Sequence, residues 1–260
     1  MPESALKVFS YLPNPRVWKA QIAAELIGID VEVVGDAPMK LADWLWDFNP
    51  RLMEDSERHD ESPHARKSYR GFKGTLFKTD AFLEAHPFGT VPAAFSPDGE
   101  VGIFESNSIL RAVARAQADH DLSGRDGYEA SRIDSFLDAG LVFAREAQVY
   151  LLGIDDMTAE LHARMSSAYE FYLAGIERAL SNSACIAAEF LTIADISFVC
   201  DLAQFCRERD YNTTLSGLGM GLISAEGAET YPLAFGHLHA LARKPAFAAF
   251  MGDYLTRTAN

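Results

Sequence analysis

The stretch from His86 to Arg111, HPFGTVPAAFSPDGEVGIFESNSILR, limits the possible fold of this chain more than any other. A Gly-Thr-Val-Pro turn enters a short apolar strand, Val91 to Phe95, and Pro97-Asp98-Gly99 then reverses the chain. A second strand runs from Val101 to Phe104 and ends on Glu105-Ser106, which opens an amphipathic helix. That order sets a proline-bent backbone beside a carboxylate and a helix start. Together these can hold a small peptide-like ligand by its backbone and its ammonium group.

The residues upstream supply the rest of a sheet. Lys7 to Tyr11 read as a strand, and the Leu12-Pro13-Asn14-Pro15 break leads into a helix with Val17, Trp18, Ile22, Leu26 and Ile27 on one face. Asn14 is a good N-cap, Pro15 suits the first helical position, and Gly28 suits the stop. Val31 to Val34 is a second strand, and a strand–helix–strand of this length predicts a parallel pair. With the hairpin and a closing helix from about Ser106 to Ala118, the order is β-α-β, a connection, then β-β-α, that of a thioredoxin-like domain.

Past Asp119 the texture changes. DHDLSGRDG reads as a linker, and long amphipathic helices are expected over Tyr128–Leu152 and Met157–Leu180. Leu191-Thr192-Ile193-Ala194-Asp195 starts another, with Thr192 as N-cap and Asp195 three residues on. Two more are expected from about Pro232 to Ala242 and from Pro245 to Tyr254. The expected fold class is α/β followed by all-α, with domains at 1–118 and 125–260.

One segment breaks this economy. Gly35 to Ala85 places about fifty residues where connections seldom exceed about fifteen. Lys40 to Asn49 is expected as a short helix, followed by an acidic stretch (Glu54 to Ser62) and a basic, glycine-punctuated one (His64 to Lys78). The insertion is expected to be solvated and partly mobile, or else a flap over the neighbouring turn. Trp44, Trp46 and Phe48 argue for some packing.

The formal net charge of −14 repels nucleic acid and anionic membranes. No apolar run approaches the roughly 20 residues that span a bilayer. The N-terminal residues show no secretory signal, and three scattered cysteines (Cys185, Cys200, Cys206) fit a reducing cytoplasm rather than a disulfide framework. The seven histidines have no metal-ligand spacing, so no metal is expected.

In combination these segments resemble the cytosolic glutathione transferase family over nearly the whole chain outside the insertion. FLEAHPFGTVPAAF, FESNSI and LTIADISFVCDL are similar to the transferase-like domain of translation elongation factor 1B gamma, and Pro13-Asn14-Pro15-Arg16-Val17 resembles the first-helix start of the nu-class transferases. The resemblance implies glutathione as cofactor. It implies a cis Pro92 that presents the backbone of Val91 to the cysteinyl part of glutathione, with Glu105 and Ser106 on its γ-glutamyl end. A routine strand-start proline and a plain helix cap are the structural alternatives. Asn14, as candidate catalytic group, would support the glutathione thiolate from the positive end of the first helix; a purely structural cap is the equal alternative. Leu12 stands where the nu class has a hydroxyl. Lys40, Lys73 and Lys78 are candidates for the glycyl carboxylate.

The function implied is a glutathione transferase that turns the thiolate on an electrophilic aromatic small molecule. The lean is to β-aryl ether cleavage of lignin-type compounds, as in the bacterial β-etherases of this superfamily. The aromatic substrate is expected between the two halves, against the first helix, Phe136, Phe143, Tyr150 and the insertion. The alternatives are a non-catalytic interaction module of the elongation factor 1B gamma type and a glutathione-dependent disulfide or peroxide reductase. A chain that stops soon after its last expected helix, without a following domain, is expected to be the enzyme rather than the module. The resemblance also implies a dimer, with an identical or a related subunit.

Overall fold

A computed structural model describes residues 4–68, 72 and 74–258, and these form two compact units, Met1–Ala116 and Gln117–Asn260. The first is built on a four-stranded sheet. Strand β1 (Leu6–Tyr11) leads through helix α1 (Pro15–Ile27) to β2 (Val31–Asp36), which lies parallel to β1. The pairing runs two residues past Val34 because residue 35 is glycine: a Cβ there would lie 1.7 Å from the Ser10 carbonyl oxygen. Asn14 caps α1, Pro15 opens it, and left-handed Gly28 closes it with its N–H on the Ala24 carbonyl.

The insertion is a second small sheet. After a 3-10 turn at Pro38–Asp43 come β3 (Trp44–Trp46), β4 (Arg51–Leu52), β5 (Ala65–Lys67) and β6 (Thr75–Lys78), arranged β4-β3-β6-β5. This corrects the helix expected at Lys40–Asn49. Only its start is helical; Trp46 then extends, donates its indole N–H to the Leu41 carbonyl at 2.9 Å, and pairs with Lys78 of β6. It also corrects the insertion expected to be solvated. Leu41, Trp46 and Leu76 share one core cluster with Phe9, Phe82, Ala93 and Phe95, so the segment shares the hydrophobic core of the unit. Trp44 and Phe48 pack at its edge.

Helix α2 (Asp80–Ala85) follows, with the Thr79 hydroxyl accepting from the Phe82 amide at 3.0 Å. Then β7 (Ala93–Phe95) and β8 (Gly102–Phe104) complete the first sheet in the order β2-β1-β7-β8. Helix α3 (Ser106–Arg115) packs on α1, where buried Lys19 donates to Asn107 at 2.8 Å.

The described part of the second unit is helical. It comprises α4 (Gly127–Leu152), α5 (Ala159–Leu180), α6 (Ile193–Phe205), α7 (Asn212–Gly217), α8 (Gly227–Thr230), α9 (Pro232–Ala242) and α10 (Pro245–Thr258), the last broken at Gly252. Helix α6 is buried almost throughout, anchored by the capping box of Thr192 and Asp195. Asp195 also accepts from the Ile186 amide at 2.9 Å and faces His237 Nε2 at 2.9 Å. Phe143 stacks on Tyr172, and the Tyr150 hydroxyl donates to Glu208 at 2.7 Å. Both are buried within the unit, which corrects their expected place against a substrate.

Candidate functional site

The hairpin register builds the site. Ala93 pairs with Phe104, so Pro92 and Glu105 adjoin the last pair of the ladder at one end of the hairpin. The Val91–Pro92 peptide bond is cis, and Pro92 is buried while Val91 is half-exposed. Among the described residues, no hydrogen bond engages the Val91 amide or carbonyl. Its backbone is positioned to pair with an added extended segment.

Glu105 is the one non-glycine residue with positive φ among the described residues (φ 67°, ψ 127°). Such a conformation costs about 1–3 kcal/mol and persists where surroundings enforce it. Glu105 occupies the N-cap position of α3 with no side-chain cap bond, so its carboxylate is exposed and not spent on the helix. Ser106 is the first residue of α3 and buried. The first turn of α3 therefore points amide N–H groups outward beside a carboxylate, a pairing suited to an ammonium–carboxylate ligand end.

Lys78 is drawn to the same turn. Its Nζ donates to the Gly89 carbonyl at 2.7 Å, two residues ahead of Val91, and lies 4.6 Å from the centre of the Trp46 ring. Burial, with a smaller push from Arg66, lowers its pKa to about 8. The sequence offered three lysines. Lys40 is exposed and faces Asp43, and Lys73 lies outside the described residues; of the two candidates the structure describes, Lys78 is the one at the turn.

Asn14 caps α1 from within the fold. It is 0% exposed; its Oδ1 accepts from the Arg16 amide at 3.0 Å and its Nδ2 donates to the equally buried Ser10 hydroxyl at 3.0 Å. Its amide is thus committed to the fold and not presented to a ligand directly. The Leu12–Pro13 bond in the same loop is also cis. Among the described residues no cluster of His, Cys, Asp and Glu could hold a metal ion.

No family model matches the chain. It is 27% identical over 202 residues to the probable elongation factor 1-gamma 1 of Arabidopsis thaliana, covering 76% of this chain and 40% of that protein. It is 32% identical over 139 residues to glutathione S-transferase F9 of the same plant, covering 46% of this chain and 60% of that one. Among solved structures, the glutathione transferase URE2P8 of Phanerochaete chrysosporium with oxidized glutathione aligns with a TM-score of 0.65, covering 99% and 98% of the two chains at 14% identity. The chain has the glutathione transferase fold. It combines that fold with sequence likeness to the elongation factor 1-gamma branch, and spans less than half the length of the elongation factor relatives it matches. Among the described residues, no helix is long and apolar enough to cross a membrane.

Proposed function

We propose that the chain binds glutathione on its first unit and directs the thiolate at an electrophilic aromatic small molecule. The observation that carries this reading is the convergence at one turn of the cis Val91–Pro92 backbone, the strained Glu105 with the open first turn of α3, and the Lys78 ammonium. In this reading Val91 pairs with the cysteinyl backbone. Glu105 takes the ammonium, Ser106 and the helix amides take the γ-glutamyl carboxylate, and Lys78 takes the glycyl carboxylate. Asn14 acts as a positioning residue, fixing the first turn of α1 and Ser10, so that the positive helix end supports the thiolate.

The test is titration with glutathione by calorimetry. Saturable binding is expected, with at least a tenfold loss in Lys78→Met and in Glu105→Gln. No binding by the native chain, or no loss in both variants, overturns the reading. Within it, β-aryl ether cleavage is the narrower proposal, tested by release of the phenol from a lignin-type model ether. Dimerisation and a cytoplasmic setting belong to the same proposal; three free cysteines support the latter. A non-catalytic interaction module is the second reading, favoured by the likeness to elongation factor 1-gamma proteins. Glutathione binding without turnover of any aromatic electrophile would select it.

A further inference from the structure

Within the second unit, the ends of α4 and α5 and the segment after α5 enclose a cleft of about 610 Å³. That volume lies inside the roughly 300–1,000 Å³ range of small-molecule clefts. Gly175, Ala179 and Ala188 bring only small side chains to it, and a Cβ at Gly175 would meet nothing within 4 Å. Arg132, Arg178 and Phe136 stand around this low apolar surface. The Arg132 guanidinium lies 5.3 Å from the Phe136 ring centre and donates Nε–H to the Ala187 carbonyl at 3.1 Å, which fixes the orientation of its plane.

Charge decides what such a cleft takes. Arg125 and Glu129 also line it, but they satisfy each other through a two-pronged contact (3.2 and 2.9 Å) while Arg125 covers the Phe190 ring at 4.2 Å. That leaves Arg132 and Arg178 against Glu189 alone, a local positive excess in a chain whose net charge is −14. Among the described residues, no acidic side chain pairs with the Arg178 guanidinium. Two guanidinium groups beside an aromatic ring and a small-residue surface fit a flat ring that carries an anionic group.

We infer that this cleft is a binding site for an aromatic carboxylate, held by Arg178 and Arg132 with its ring over Gly175 and Ala179. The site uses no residue of the glutathione-binding turn and stands whether or not the chain is an enzyme. The probe is naphthalene-2-carboxylate, titrated into the full chain by calorimetry, with naphthalene-2-carboxamide as the uncharged counterpart. One saturable site per chain is expected, weakened at least tenfold by Arg178→Ala and by loss of the probe's charge, with the glutathione titration unchanged. Arg178 is exposed, so its removal leaves the packing intact; Arg132→Gln is a second variant with the same expected direction. Absence of saturable binding, equal binding of the carboxamide, indifference to both arginine substitutions, or displacement by glutathione would each overturn the assignment.

Discussion

His86 is only 1% exposed, and neither ring nitrogen has a hydrogen-bond partner among the described residues. Its ring sits 4.6 Å from Phe95 and 5.0 Å from Phe82, and burial lowers its pKa to about 4. The unfolded chain, with an ordinary histidine near 6.5, binds the proton first as pH falls. Stability is therefore complete above about pH 6.5 and declines from there towards pH 4, with a limiting slope of about 1.4 kcal/mol per pH unit. His86→Leu is expected to flatten that slope in urea titrations and to raise stability at neutral pH by on the order of 1 kcal/mol, because it removes two unsatisfied polar atoms. An unchanged slope would assign it to other groups. Asn14 gives the residue-scale test of mechanism. Asn14→Asp keeps the cap oxygen but loses the Nδ2–H bond to Ser10 and buries a charge, so the melting temperature should fall, while the negative charge should move the thiolate limb of the pH–rate profile upward. A profile that stays put would reduce Asn14 to a cap. The cap itself was legible, since Asn14-Pro15 and Thr192–Asp195 are local chemistry. The aromatic cage of His86 was not, because it forms only when α2 and the β7–β8 hairpin fold onto one another.

At the scale of elements, the insertion was the hardest part to read. Strands of two to four residues are too short to show an alternation, and β3 finds its parallel partner β6 about thirty residues later. The three aromatics were the usable signal, and Trp46 is the one that carries the sheet into the core. Trp46→Ala is expected to cost about 3–5 kcal/mol and, by loosening β6, to weaken glutathione binding through Lys78. Stability loss with unchanged affinity would separate the insertion from the site. The start of α3 makes the opposite trade. Glu105→Gly relieves the positive φ and should raise stability by roughly 1 kcal/mol while lowering affinity for glutathione, since the carboxylate is lost. If both fall, the backbone at residue 105 is not strained in the way its φ implies.

For the whole molecule, the two-part order was readable because long amphipathic helices and a strand–helix–strand run announce themselves by periodicity, and the described structure follows that order. Net charge acts at the same scale. With 37 acidic and 23 basic side chains, the folded chain repels itself at neutral pH. Against this stand exposed ion pairs such as Arg51–Glu57 and Arg125–Glu129, which contribute little because solvent screens them. Salt weakens both effects: at about 0.1 M the screening length is about 10 Å, shorter than most separations among the excess carboxylates. Relief of the many long-range repulsions should outweigh loss of a few short pairs. The melting temperature is therefore expected to rise by a few degrees between about 0.02 and 0.3 M sodium chloride at pH 7.5, read by calorimetry. A fall over that range would mean that the ion pairs, and not the net charge, dominate the electrostatics of the fold.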